Sequence, residues 1–227
     1  MNTKRLFIAA LVLAAALTGF AVLTAERLPA DAMLPTHWNA AGEPDSFSPA
    51  LEALLFPPML LVGVSLLFLL IPRIEPLQDR LEGSAPVLRA SWIGMMGLFT
   101  IISAAVGLPA WGVELPVNII MLGVGLLLVV LGNALPKSRP GFFVGIRTPW
   151  AILDTDNWIA THRLGGKLML LAGIAICIVA LLPVSPELTT WVVLGTVLAA
   201  AFIPYLYSWW LWEQAKRAHS GTGDKKD

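Results

Sequence analysis

Apolar residues in this chain gather into long uninterrupted blocks separated by short polar stretches. Six such blocks stand out, at about 6–25, 54–71, 89–109, 116–135, 167–184 and 189–212, each uncharged through its centre. A bilayer core about 30 Å thick takes roughly 20 helical residues to cross, and every block is close to that length. Helices satisfy their own backbone hydrogen bonds inside lipid. A barrel would need alternating strands, and runs such as LLLVV and LLFLLI do not alternate. The pattern therefore predicts an all-α, polytopic integral membrane protein with six transmembrane helices. Prolines agree with it: Pro116 and Pro186 fall at or near helix starts, whereas Pro57, Pro58 and Pro204 should bend their spans rather than end them.

Composition points the same way. Of 227 residues, 57% are hydrophobic and 13% charged, against about 25% charged in an ordinary soluble domain. That excludes a water-soluble globule. The net charge of zero conceals a strong partition. Of the 15 Lys and Arg, all except Arg27 fall before the first span, in the 72–89 and 136–167 loops, or in the tail. The loops at 26–53, 110–115 and 185–188 are acidic by contrast. Cations mark the cytoplasmic side, so both termini are expected inside (N-in/C-in). The first apolar run is about twenty residues, longer than a signal-peptide core of about 7–15, and is expected to be retained as a span. Trp92, Trp111, Trp191, Trp209, Trp210 and Trp212 lie at span ends and read as interfacial anchors.

Chemistry is sparse. The middle of each span lacks Asp, Glu, Lys, Arg and His, which disfavours an ion-coupled carrier. There is no HExxH, GxSxG or paired acidic motif on a span, so no catalytic residue is assigned. The single Cys177 rules out a disulfide framework or thiolate cluster within one chain. Glycines such as Gly94, Gly97, Gly123 and Gly125 read as sites of close helix packing.

Two polar loops remain. The outer one, LPTHWNAAGEPDSFSPA at 34–50, is stiffened by Pro35, Pro44 and Pro49, with Asn39 and Gly42 favouring a turn. One His with Asp31, Asn39, Glu43 and Asp45 at irregular spacing is a poor metal set. An ordered acidic cap is the expected structure, with no metal or other cofactor, and a pH-sensitive contact is expected only if His37 lies beside those acids. The inner loop, residues 132–167, interleaves Phe142, Phe143, Trp150 and Trp158 with Arg147, His162, Arg163 and Lys167. Asp154 or Thr155 should cap a short interfacial helix through about Arg163, with Gly165-Gly166 stopping it before span five. On that helix Trp158, His162 and Arg163 occupy neighbouring turns, with rings in the headgroups and cations toward phosphate. Topological anchoring alone and a docking surface for a cytoplasmic protein or an anionic headgroup both fit this loop.

At these loops the sequence resembles the SdpI family of bacterial membrane immunity and signalling proteins. The resemblance is carried by GIRTPW at 145–150, Trp158, THRLGGK at 161–167 and GNALPKSRP at 132–140. LPTHWNAAGEPDSF at 34–47 resembles the domain of unknown function that commonly precedes that family's region. The resemblance implies a bacterial cell membrane location and protection against a secreted membrane-active killing peptide. It also implies signalling by holding a cytoplasmic repressor at the membrane, with no direct contact to nucleic acid. Carried over by motif, Arg147, Thr148, Pro149, Trp150, Trp158, His162 and Arg163 belong to an inner partner or headgroup surface. Pro35, His37, Asn39, Gly42 and Asp45 belong to the outer domain, and lipids are partners throughout. The expected division is 1–72 (two spans with the outer loop), 73–135 (spans three and four), 136–213 (signature loop and spans five and six) and a disordered tail at 214–227. A small-molecule or peptide transporter or channel is the alternative. An interfacial enzyme using His37 or His162 as acid–base group is a second.

Overall fold

The computed structural model describes residues 3–39, 44–76, 78–116 and 118–223. Its long helices are α1 (Thr3–Ala25), α2 (Ala50–Ile74), α3 (Gln78–Gly107), α4 (Asn118–Ala134), α6 (Thr155–Leu181) and α7 (Pro186–Gly223), with a short α5 (Pro149–Leu153) between α4 and α6. Six of these helices are long and apolar enough to cross a membrane. The all-α, six-span architecture is the one the apolar blocks predict. Pro57, Pro58 and Pro204 lie inside continuous helices, and Pro186 opens α7, where the Ser185 hydroxyl caps the Leu188 N–H.

Successive helices alternate in direction and give the bundle two distinct ends. Trp111, beyond α3, donates from Nε1 to the Thr24 hydroxyl at the end of α1 (2.9 Å), which places both at one end. Glu75, closing α2, meets the loop at 142–143 at the other end. Helices α1, α2 and α3 form one packed group; α4 joins α3 to α6, and α6 carries α5 and α7. Side chains such as Ala10, Ala14, Leu17, Leu61 and Phe99 fill the first group.

Four features depart from expectation. The loop expected on the outside is a two-stranded antiparallel hairpin, β1 (Met33–Trp38) and β2 (Pro44–Pro49), with Leu34 opposite Ser48 and Pro35 opposite Phe47. Leu34 and Trp38 tuck under it against Ala21, Leu54 and Val106, which fixes the hairpin to the bundle. Second, Gly165-Gly166 does not stop a helix: α6 runs unbroken from Thr155. Each glycine costs about 1 kcal/mol against alanine in a helix, but a Cβ on Gly166 would meet the Gly132 carbonyl and the Pro136 ring, and one on Gly165 would meet the Ile146 side chain. Third, Trp92 is no interfacial anchor. It is fully buried, donates to the Ser65 hydroxyl across to α2 (3.0 Å) and packs edge-on against Phe68. Fourth, the tail expected to be disordered from 214 continues α7 as far as Gly223. The other five end-marking tryptophans are exposed, as interfacial anchors require.

Candidate functional site

The end of the bundle that carries the signature loop is built on buried hydrogen bonds. Thr148 caps α5, its hydroxyl accepting from the Ala151 N–H (3.1 Å), and Pro149 takes the first helical position, where a missing N–H costs nothing. The same Thr148 hydroxyl lies 2.6 Å from that of Ser208 on α7. Ser208 donates to Asn157 Oδ1 (2.7 Å), which also accepts from Thr161 (3.0 Å), while Asn157 Nδ2 donates to the Ser208 carbonyl (2.8 Å). Ser208 is thus committed as donor to Asn157, so Thr148 is the donor in their contact. All four side chains are buried, and each has partners. Satisfied networks of this kind fix one arrangement of the elements they join, here α5, α6 and α7.

A second set of bonds holds the loop before α5. Trp158 Nε1 donates to the buried Ser138 hydroxyl (3.1 Å), and the indole stacks on His162 with ring centroids 4.0 Å apart. The Ile146 N–H donates to His162 Nε2 and His162 Nδ1 meets the Trp158 carbonyl, both at 2.8 Å. A nitrogen that accepts from an amide carries no proton, and one facing a carbonyl must carry it. The two partners therefore assign the neutral Nδ1–H tautomer. Gly145 sits where this ring pair comes closest, with φ +121°. A Cβ there would collide with His162 Nε2 and with the Trp158 ring.

Glu75 anchors the loop from the opposite side. Its buried carboxylate accepts from the backbone N–H of Phe142 (3.0 and 3.1 Å) and of Phe143 (3.1 Å). Ser84 adds a reciprocal pair with Arg139, accepting from its N–H (2.9 Å) and donating to its carbonyl (3.1 Å). Loop 138–148 is thereby tied to α2, α3, α6 and α7 by side chains of five residues, Glu75, Ser84, Trp158, His162 and Ser208.

The expected inner surface therefore divides. Thr148, Trp158 and His162 are buried, because the i, i+4 pair 158 and 162 faces the bundle. The rings of Trp158 and His162 therefore face the bundle, not the headgroups where the loop reading expects them. Arg147, Pro149 and Arg163 are exposed, and Arg147 donates to the Phe142 carbonyl (3.0 Å). Trp150 is half-buried between Tyr205 and Trp212 of α7. Around them lie exposed Lys137, Arg139 and Lys167, and exposed Phe142, Phe143 and Leu153. Sequence reading missed Glu75, Ser138, Asn157 and Ser208. The usable signal was a polar residue inside an otherwise apolar stretch: Ser208 within YLYSWWLW, which has to find a partner once buried.

At the hairpin end a large open groove, about 810 Å³, lies between the hairpin, α2, α4, α6 and the start of α7. His37 and Asn39 stand at its mouth, and His37 Nδ1 is 2.5 Å from Asp45 Oδ1. Pro35 faces Phe47 within the hairpin, and Gly42 lies outside the described residues. Among the described residues, no group of three His, Cys, Asp or Glu converges as metal ligands would. Arg27 lies over the Trp111 ring, 3.6 Å from its centroid.

Comparison with known proteins bears out the resemblance. Residues 137–208 match the SdpI/YfhL protein family, and residues 6–62 match the domain of unknown function DUF1648. The first match runs from just before Ser138, which accepts the Trp158 N–H, to Ser208 of the buried network. "Immunity protein SdpI" of Bacillus subtilis (strain 168) is 29% identical over 87 residues. The alignment covers 38% of this chain and 42% of that protein, less than half of either. No solved structure matches this chain.

Proposed function

We propose that this protein is a non-enzymatic immunity protein and sensor of the bacterial cell membrane, protecting its host against a secreted membrane-active killing peptide. The observation that carries the reading is the match to the SdpI/YfhL family over the segment whose buried bonds lock loop 138–148 to α6 and α7. The similar Bacillus protein is named for immunity. Of the two histidines, His162 has both ring nitrogens engaged with backbone, whereas His37 pairs with Asp45 on the exposed hairpin.

The same helices reach both ends. Val179 and Leu182 at the end of α6 and Thr189 and Val193 on α7 line the hairpin-end groove, while Asn157 and Ser208 of the same two helices form the network at the far end. A ligand shifts such an equilibrium only by its difference in affinity for the two arrangements. Peptide bound at the hairpin end and favouring one packing of α6 against α7 would alter the surface carrying Arg147, Leu153 and Arg163. A cytoplasmic repressor held there completes the signalling route.

Deletion of the gene is expected to make cells sensitive to secreted peptides of competing or sibling bacteria at doses the parent tolerates. Resupplying the gene should restore growth. A copy with Arg147→Ala should restore protection but release the repressor from the membrane fraction. Unchanged sensitivity of the deletion strain to every peptide preparation tried would remove the immunity reading.

A further inference from the structure

The ring of spanning helices is open on one side. Helix α7 packs on α6 and α5, while α2 packs on α1 and α3. The hairpin-end groove lies where α2 and α7 face one another across the gap. Its α7 wall is a single helical stripe, Pro186, Thr189, Thr190, Val193 and Val197, at spacings of three and four. Opposite stand Phe56, Pro57 and Leu60 of α2, and Asn118 and Met121 of α4 form its back. Phe56 (60% exposed) and Leu194 (47% exposed) flank an entrance that opens sideways, toward lipid. The volume, about 810 Å³, is on the scale of a ligand pocket, about 300–1,000 Å³.

Charge at the mouth has one sign. Among the described residues, no Lys or Arg lines the groove. Three exposed carboxylates stand beside it. Asp45 pairs with the lining His37, Glu52 lies one turn before Phe56 on the same face of α2, and Glu187 follows Pro186. Arg27, the one Lys or Arg of this end among the described residues, is engaged on the Trp111 ring. A phospholipid would bring its phosphate against these carboxylates, whereas a peptide with an apolar face and Lys or Arg beside it would meet complementary charge.

We propose that the gap between α2 and α7 is the binding site for a cationic amphipathic peptide, which enters sideways from the bilayer with its apolar face against Val193, Phe56 and Met121 and its cations at Asp45, Glu52 and Glu187. This rests on the immunity reading for its biological meaning, but its test does not. The full chain is placed in nanodiscs of phosphatidylcholine, and binding of a fluorescent synthetic Leu/Lys amphipathic helix is measured against a matched Leu/Gln helix. The Leu/Lys peptide is expected to bind the protein at least about tenfold more tightly than it binds empty discs. Filling the groove from either wall, with Val193→Trp or independently Met121→Trp, is expected to abolish that gain. The combined change Asp45→Asn, Glu52→Gln and Glu187→Gln should weaken the Leu/Lys peptide by about tenfold at low salt and leave the Leu/Gln peptide unchanged.

Unaltered affinity in whichever filled variant folds would overturn the site, and equal binding of the two peptides would overturn its charge preference. A photoactivatable phosphatidylcholine that still labels Val193 under saturating Leu/Lys peptide would assign the groove to lipid instead. Loss of protection in the deletion strain together with unaltered affinity of the filled variants, or with persistent lipid labelling, leaves immunity standing and removes the groove. Peptide binding without a killing phenotype does the reverse.

Discussion

Alanine at Gly145 is expected to unfasten the signature loop and lower stability by about 3 kcal/mol or more. Two costs combine. The backbone at φ +121° is open to glycine and strained for any residue with a Cβ. The new methyl would also collide with His162 and Trp158, which are stacked on each other and cannot both withdraw. Movement of either ring breaks a buried bond, Ile146 to His162 or Trp158 to Ser138. Gly97→Ala is the control, since nothing lies within 4 Å of a Cβ there. Thermal unfolding in detergent, with proteolysis of loop 138–148 as the local readout, checks both variants. Near-identical melting of the Gly145→Ala and Gly97→Ala proteins would mean the loop is not held as described.

The second large effect is expected where α4 and α6 cross. Gly125 and Gly132 on α4 meet Gly173 and Gly166 on α6, pairs seven residues apart on both helices. A Cβ on Gly166 would stand 2.7 Å from the Gly132 carbonyl oxygen and equally close to the Pro136 ring; one on Gly132 would stand 2.5 Å from the Leu170 nitrogen. Backbone atoms cannot rotate away as a side chain can, so the helices must separate. Without a hydrophobic drive between helices in lipid, close contact is what holds them. Gly166→Ala is expected to cost about 2–4 kcal/mol, at the upper end for overpacking. It should also lower the fraction of monodisperse protein recovered from membranes. Wild-type melting would show that this crossing is looser than the geometry requires.

The spans and the cation partition were legible because transfer of apolar and charged side chains depends on local sequence. Other features depended on partners that sequence does not display. Trp92 and Trp191 both stand at the start of an apolar run, yet Trp92 is buried because Ser65 on another helix accepts its N–H. The hairpin was hidden by Pro35, Pro44 and Pro49. Proline is poor in a sheet interior but tolerated in a two-stranded ribbon, where each strand has a free edge. Trp158, His162 and Arg163 were grouped on neighbouring turns, but one extra residue turns Arg163 about 100° from His162, so it is exposed while the pair is buried. Gly165-Gly166 carries the same signature as a helix stop; the close approach of Gly132 and Pro136 to Gly166, and of Ile146 to Gly165, is what calls for glycine within a continuous α6. The chemical content of GIRTPW became readable once each residue had a place. Gly145 clears the rings, Ile146 bonds His162, Arg147 bonds the Phe142 carbonyl, Thr148 caps α5 and Trp150 packs on α7.

The roles of the groove and the signature loop require the hairpin end to face outward and the signature end to face the cytoplasm, which the placement of every Lys and Arg except Arg27 predicts. Labelling of single cysteines in intact cells tests this most directly, with Phe47→Cys and Arg163→Cys each made in a Cys177→Ser background. Both positions are exposed on opposite ends of the bundle. A membrane-impermeant maleimide is expected to label position 47 in intact cells and position 163 only after the membrane is broken. Labelling of 163 from outside, or protection of 47 until lysis, would contradict the orientation and with it the roles given to the groove and the loop.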